Sequence, residues 1–181
     1  MAEQKNTRYF IDTEFYDPPH DGFNIEFISI GIVAENNKEF YGIYNGFDEA
    51  KCKAESPWLN DNVLNKLLPN SERVDLPFIR QGILDVIDNC NELEFWAKNG
   101  TYDFYIICRL FGGLSGLRST LLAKKGVTKI YFKDSNDLRR ELNYPQTPQL
   151  AESDKHNAIV DARHEKIEFD CMMSIKAAAQ A

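Results

Sequence analysis

The stretch R-Y-F-I-D-T-E, from Arg8 to Glu14, decides the fold of this chain. Its short apolar run ends in carboxylates, which is typical of a buried strand. In a strand, residues i and i+2 point to the same side, so Asp12 and Glu14 share one face while Thr13 points away. Two carboxylates that converge at the end of an apolar strand repel each other and lose hydration. They therefore need a cation or a positive partner, unless they lie on a solvated strand end.

Four more strands are predicted along the chain. The segment Ile25 to Glu35 is rich in β-branched residues, and Asn36-Asn37 then tolerates the positive φ of a tight turn before Glu39 to Tyr44 completes a hairpin. Glu92 to Ala97 and Lys129 to Phe132 are the remaining strands. The hairpin supplies antiparallel pairing, whereas strands separated by helices pair in parallel. The sequence therefore predicts an α/β fold with a mixed five-stranded sheet flanked by helices.

Four helices accompany these strands. Ser56-Pro57 opens a helix that we expect to run to about Leu68, with Ser as N-cap and Pro at the first position. A second helix is predicted from about Asp75 to Cys90. Apolar residues at helical spacing between Phe104 and Phe111 predict a third, and the last runs from about Asn157 to Ala179.

Length and composition limit the class of protein. At 181 residues with 43% hydrophobic residues, residues 1–181 are expected to form one domain with its own core. The net charge of −7 argues against a protein that coats duplex DNA through overall positive charge. Met1 to Asn6 contains no apolar segment, no run is long enough for a membrane span, and the four cysteines form no C-x-x-C pair. A cytoplasmic protein is expected.

Two further acids and a histidine follow elements of the predicted sheet. Asp103 lies in the first turn of the helix after the fourth strand, where the helix dipole favours an acid and where α/β proteins also place ligands. His156 and Asp161 are five residues apart, so they would not meet inside one helix. We therefore expect His156 in the loop that enters the last helix and Asp161 one turn inside. Such a histidine suits a general base near a metal ligand, although a solvated histidine before a helix is the alternative.

The other two histidines are weaker candidates. His164 has apolar neighbours one and two turns away along the predicted last helix, so we expect it to pack against the core. A zinc site made of His164, His156 and Asp161 is a poor prediction, because the three do not converge on one helix face. His20 lies in a loop of prolines and aspartates and is expected to be solvated.

Taken in order, D-T-E at 12–14, Asp103 and H-x-x-x-x-D at 156–161 resemble the DEDDh 3′–5′ exonucleases, which include RNase T, oligoribonuclease and polymerase proofreading domains. The chain is most similar to a branch of small single-domain bacterial and phage 3′–5′ exoribonucleases. The stretches that carry this similarity are YFIDTEF at 9–15, IEFISIGIVAE at 25–35, WAKNGTYD at 96–103 and HNAIVDAR at 156–163.

This resemblance implies an RNase H-like fold and a two-metal mechanism with Mg²⁺ or Mn²⁺. It implies that Asp12, Glu14 and Asp161 hold the first ion, that Asp12 bridges to the second, and that Asp103 holds the second, either directly or through water. His156 would deprotonate the water that attacks the terminal phosphodiester of single-stranded RNA or of a 3′ overhang. The products would be nucleoside 5′-monophosphates. A homodimer is common among such relatives.

The expected substrate contacts lie near these residues. Phe15 follows the D-T-E motif and is the first candidate to stack on a base, and Trp58 and Tyr102 are the next. Core packing is the alternative for these three aromatic residues. Thr13 is also predicted to contact the substrate. Residues 117–141 contain seven basic and three acidic residues and either steer the phosphate backbone or form a solvated face.

Two other functions are compatible with the same motifs. One is a 3′–5′ exodeoxyribonuclease of DNA repair or proofreading, and the other is a non-catalytic nucleotide- or RNA-binding module. The second is disfavoured, because all five residues of catalytic type are present.

Overall fold

The computed structural model describes residues 7–19 and 24–180. Five strands form one sheet in the order β3-β2-β1-β4-β5. The β1–β2 and β2–β3 pairs are antiparallel, and the β1–β4 and β4–β5 pairs are parallel. The predicted mixed five-stranded sheet is therefore confirmed, as is the hairpin turn, where Asn37 has a φ of 65°. The strands are β1 (Arg8–Tyr16), β2 (Glu26–Ala34), β3 (Glu39–Ile43), β4 (Glu92–Ala97) and β5 (Lys129–Asp134).

Seven α-helices connect and cover the strands within the described residues. Ser56 caps the second of them and Pro57 is its first residue, as predicted. His20 lies outside the described residues. The helices are α1 (Glu49–Glu55), α2 (Pro57–Asn62), α3 (Leu76–Val86), α4 (Thr101–Leu110), α5 (Leu114–Lys125), α6 (Ser135–Glu141) and α7 (Ala158–Ala179).

Some helix boundaries differ from the prediction. α2 ends at Asn62 rather than near Leu68, because the chain turns there to bury Val63 and Leu64 in a small core and continues as the 3₁₀ turn Leu64–Lys66. α3 ends at Val86 rather than Cys90, since Ile87 is already extended. The helices α1, α5 and α6 were not predicted. In α5, only Leu117 and Leu121 are buried, which is too narrow an apolar stripe to stand out in a sequence.

No single helix in the described part of the chain is long and apolar enough to cross a membrane. Helices α4 and α5 reach the length and apolar composition of a membrane span only when taken together, and the chain bends by 65° between them.

The two faces of β1 belong to different cores. Tyr9 and Ile11 lie in the main core, which also contains buried residues of α3, α4 and α5. Phe10, on the alternate face, packs on Phe169 of α7 with ring centroids 5.1 Å apart. Asp12 is in phase with Phe10, so it is directed to the α7 side of the sheet, whereas Thr13 is in phase with Ile11.

A glycine in β2 allows α7 to begin close against the sheet. Gly31 pairs with Asp12 in the β1–β2 register. A Cβ atom at this position would lie 2.3 Å from the backbone oxygen of Ala158, the first residue of α7. Because only glycine leaves this space, the first turn of α7, with Asp161, comes to lie beside Asp12.

Candidate active site

Three carboxylates converge where β1 meets the start of α7. Side-chain oxygens of Asp12, Glu14 and Asp161 all lie within 4.8 Å of one another. The set offers only oxygen ligands, which hard divalent cations such as Mg²⁺ and Mn²⁺ prefer. The three acids named by the D-T-E and H-x-x-x-x-D motifs are thus brought together. Among the described residues, no comparable cluster contains His156 or His164, so the zinc site is not formed.

The carboxylates of this cluster are buried or half-buried and repel one another. Burial, followed by repulsion from Glu14, Asp103 and Asp161, raises the pKa of Asp12. Burial and then repulsion from Asp161 and Asp103 raise the pKa of Glu14 to about 8, although Lys66 offsets part of this. Deprotonated carboxylates at these positions are unfavourable without positive charge nearby. The donor set therefore fits divalent metal ions.

The start of α7 places the predicted histidine beside the cluster. Asn157 is the N-cap residue, and its backbone N–H donates to Asp161 Oδ2 at 3.0 Å. His156 precedes it with a φ of 63°, a left-handed conformation that is uncommon for residues other than glycine. Its ring meets that of Trp58 edge-on, with centroids 4.8 Å apart. The predicted arrangement, with His156 in the entering loop and Asp161 one turn inside, is confirmed.

Asp103 lies beside β1, on the edge that faces β4. Its Oδ1 accepts hydrogen bonds from the backbone N–H of Thr13 at 2.8 Å and from the Thr13 hydroxyl at 2.7 Å. Burial raises the pKa of Asp103 to about 6, and the bonds from Thr13 counteract this. Asp103 is therefore not part of the three-carboxylate group, although it is near enough to repel Asp12 and Glu14.

The substrate contact of Thr13 stays a prediction, and the structure adds a second contact. Its side chain is buried and its hydroxyl donates to Asp103, while the residue also lines the cleft that holds the three carboxylates. Its role is to connect Asp103 to the strand that carries the two acids.

The three predicted aromatic residues occupy two places. Phe15 and Tyr102 form a pair with ring centroids 4.8 Å apart, and the Tyr102 hydroxyl donates to Asp17 at 2.8 Å. Trp58 does not belong to this pair: its ring lies against that of His156, and the residue is 56% exposed. Core packing is the wrong alternative for Trp58 and Tyr102, because both residues are exposed. Phe15, in contrast, is half-buried.

A cleft of about 450 Å³ contains the cluster and several residues that sequence reasoning missed. Among them is His164, which was expected in the core. It is half-buried and lines the cleft, whereas Ile167 on the next turn is 51% exposed, so α7 is rotated relative to the prediction. Lys66 approaches from the 3₁₀ turn, where its Nζ donates to the backbone oxygen of Lys155 at 2.5 Å.

Two glutamates of α7 also line the cleft. Asp161, Glu165 and Glu168 are spaced i, i+4 and i+7, which places them on one helix face; this spacing could have identified them from the sequence. Glu168 is buried and accepts hydrogen bonds from Thr147 at 2.7 Å, from Lys98 at 3.1 Å and from Arg139. Burial raises the pKa of Glu165 to about 7, despite an opposing interaction with the Ser135 hydroxyl.

The basic segment 117–141 does not form one surface at the site. Lys129 lies at the start of β5, opposite the end of the sheet where the cluster lies, and pairs with Glu92 at 2.5 Å. Arg139 is engaged by Glu168, and Arg140 pairs with Asp137 at 3.1 Å. Each of these three basic residues therefore has an acidic partner, and they do not share one surface. The other basic residues of the segment are Arg118, Lys124, Lys125 and Lys133.

Comparison of the fold with solved structures identifies RNase H-like nucleases. S. pombe Pop2p in its Mg²⁺- and Mn²⁺-bound form matches with a TM-score of 0.55 at 12% identity, covering 93% of this chain and 83% of Pop2p. The RNase domain of the yeast Pop2 protein matches with a TM-score of 0.56 at 13% identity, covering 94% and 78%. The predicted RNase H-like fold is confirmed.

Comparison of the sequence reaches closer relatives. No family model matches the chain. Two Mycobacterium tuberculosis proteins, from strains CDC 1551 and H37Rv, are each named 3′–5′ exoribonuclease and are 33% identical to it over 177 residues. The alignment covers 92% of this chain and 94% of each relative. At this identity over almost the whole of both chains, the protein belongs to the 3′–5′ exoribonuclease family of these mycobacterial enzymes, within the DEDD exonucleases that its motifs resemble.

Proposed function

We propose that the enzyme removes nucleotides one at a time from the 3′ end of single-stranded RNA or of a 3′ overhang and releases nucleoside 5′-monophosphates. The observation that carries this proposal is the group of three carboxylates within 4.8 Å of one another, with His156 at the edge of the same cleft. A family of 3′–5′ exoribonucleases supplies the class of reaction, and the cleft supplies the groups that the reaction needs.

Two divalent ions, Mg²⁺ or Mn²⁺, are proposed as cofactors. Asp12, Glu14 and Asp161 would hold the first, and Asp12 would be shared with the second. Asp103 would contribute through water, since it lies outside the group of three carboxylates and is bound to Thr13. When bound, such a pair of ions stabilises negative charge on the attacking and leaving oxygens of a phosphodiester. The raised pKa values of Asp12 and Glu14 agree with this assignment, because burial and mutual repulsion make the ionised carboxylates unfavourable unless a cation is close.

The chain's own residues provide the proton transfer. His156 is the proposed general base, which takes the proton of the attacking water through its imidazole ring. Two contacts position its loop: Lys66 holds the backbone oxygen of the preceding Lys155, and Trp58 supports the ring from the side. Asp161 fixes the start of α7 by accepting the N–H of Asn157.

The terminal nucleotides are proposed to stack on three aromatic rings, of which Trp58 and Tyr102 are exposed and Phe15 is half-buried. Trp58 lies beside His156, and Phe15 pairs with Tyr102. An enzyme that holds one strand end through metal ions and stacking does not need a basic surface, which agrees with the net charge of −7.

Oligomeric state and location are also proposals. A homodimer is proposed from the family resemblance alone. A cytoplasmic location is proposed because none of the four cysteines is in a disulfide.

The test uses a 5′-labelled single-stranded RNA and a DNA of the same sequence, with Mg²⁺ or Mn²⁺. We expect an RNA ladder that shortens from the 3′ end, nucleoside 5′-monophosphates as products, and slower loss of the DNA. EDTA and Asp12→Asn should both abolish the ladder. Internal cuts, or faster degradation of the DNA, would contradict the proposal.

A further inference from the structure

Glu165 is a buried carboxylate with a free oxygen at the active-site cleft. It lies one turn after Asp161 on α7, is 5% exposed and lines the cleft. Its Oε1 is buried and makes no hydrogen bond within the described part of the chain. A buried carboxylate oxygen without a partner is costly, so such a group next to a metal site calls for a ligand.

The neighbouring glutamate on the same face differs in this respect. Both oxygens of Glu168 are engaged, one by Lys98 and the other by Thr147 and Arg139. No ion pair to Glu165 is present among the described residues, in contrast to the pairs of Glu168 with Lys98 and Arg139. Glu168 is therefore held by Lys98 and Arg139, whereas the Oε1 atom of Glu165 has no hydrogen-bond donor in the part of the chain that the structure describes.

Glu165 and Asp103 approach Asp12 from different elements. Asp12 is directed to the α7 side of the sheet, and Glu165 belongs to α7 and is near enough to repel it. Asp103 lies beside β1 on the edge that faces β4, where Thr13 occupies its Oδ1. On the side to which Asp12 points, Glu165 thus offers an oxygen that no other group uses.

We propose that Glu165 is a fifth acidic residue of the metal site and binds the second divalent ion through Oε1, next to Asp12. This inference rests on the two-metal function proposed above. In this arrangement Glu165 contacts the second ion directly, and Asp103 contacts it through water.

The experiment titrates Mn²⁺ into the wild type, Glu165→Gln and Asp103→Asn, with excess AMP, and follows free Mn²⁺ by electron paramagnetic resonance. Glutamine keeps the size of the side chain but removes its charge. We expect two ions in the wild type. In Glu165→Gln, the first ion should keep its affinity and the second should bind at least tenfold more weakly, with a smaller loss in Asp103→Asn. Glu168→Gln serves as the matched control from the same helix face and should bind two ions.

The outcomes separate this inference from the two-metal proposal. A wild type that binds only one ion would overturn both. A wild type and a Glu165→Gln variant that each bind two ions with equal affinity would overturn only the role of Glu165. If both ions bound to Glu165→Gln with equally reduced affinity, Glu165 would support the structure of the site without binding an ion. That result would also overturn the inference. Thermal unfolding in EDTA verifies that each variant is folded before titration.

Discussion

Asp103 and Thr13, 90 positions apart in the sequence, are joined by two hydrogen bonds to one carboxylate oxygen, from the backbone N–H at 2.8 Å and from the hydroxyl at 2.7 Å. Thr13 stands between Asp12 and Glu14, so this contact holds the strand segment that presents both acids. Asp103 thereby acts on the cluster from beside the strand.

Removing the Thr13 hydroxyl tests this contact. Thr13→Val keeps the shape but leaves a buried carboxylate with one bond fewer, so we expect a loss of about 1–3 kcal/mol in the free energy of unfolding. Urea unfolding in EDTA measures it. Thr13→Ser retains the hydroxyl and should keep the wild-type affinity for Mn²⁺. A valine variant as stable as the wild type would show that the bond contributes nothing.

Substitutions of His156 distinguish the role of its imidazole ring from the role of its backbone conformation. We expect His156→Asn to lower kcat by about 10²- to 10⁴-fold, the range associated with losing a general base, with little change in Mn²⁺ affinity. Asparagine tolerates the left-handed φ of 63° at this position, so the loop should be preserved, whereas His156→Ala adds backbone strain. Turnover of the asparagine variant at the wild-type rate would exclude His156 as the base.

The stability of the metal-free enzyme should fall as pH rises. Burial and repulsion raise the pKa of Glu14 from its ordinary value of 4.5 to about 8, so the folded state holds a proton that the unfolded state releases. The stabilisation is complete below pH 4.5 and is lost progressively up to pH 8. Melting temperatures in EDTA between pH 5 and pH 8 measure this.

Mn²⁺ should raise the melting temperature more at pH 8 than at pH 5.5, because its binding displaces protons. Glu14→Gln should show a smaller dependence on pH. A metal-free protein that becomes more stable over this range would contradict the assignment.

Adding a methyl group to Gly31 should separate α7 from the sheet. Gly31→Ala would place its Cβ 2.3 Å from the Ala158 backbone oxygen, so the start of α7 must move. We expect a loss of about 1–3 kcal/mol in stability and weaker Mn²⁺ binding, because Asp161 moves with the helix. Ser29→Ala, on the same strand and opposite Glu14, is the control and should bind Mn²⁺ as the wild type does. Unchanged Mn²⁺ affinity in Gly31→Ala would show that α7 need not lie this close.

Trp58 should affect RNA binding more than folding. Its ring is largely exposed, so Trp58→Ala should leave the melting temperature within a few degrees of the wild type. Loss of one stacked base is expected to raise KM about tenfold, and Trp58→Phe should recover most of this. Steady-state kinetics on a short RNA provide the measurement. An unchanged KM in the alanine variant would place the terminal base elsewhere.

The sequence by itself determined the sheet and identified the three acids that meet in the candidate site. Strands such as Arg8–Tyr16 are encoded by local apolar patterns, and Asp12 and Glu14 share a face wherever such a strand is placed. The spacing of His156 and Asp161 likewise required a loop followed by a helix. These features depend on residues close together in the chain, and the family resemblance gave each of them a chemical role.

Only the tertiary structure decided which groups surround those acids. The face that α7 presents to the sheet depends on the packing of Phe169 against Phe10, which puts Glu165 in the cleft and leaves Ile167 exposed. The bond between Asp103 and Thr13 joins residues that no local pattern connects. Periodicity predicts that a helix exists, but the rotation of that helix is set by the surface on which it packs.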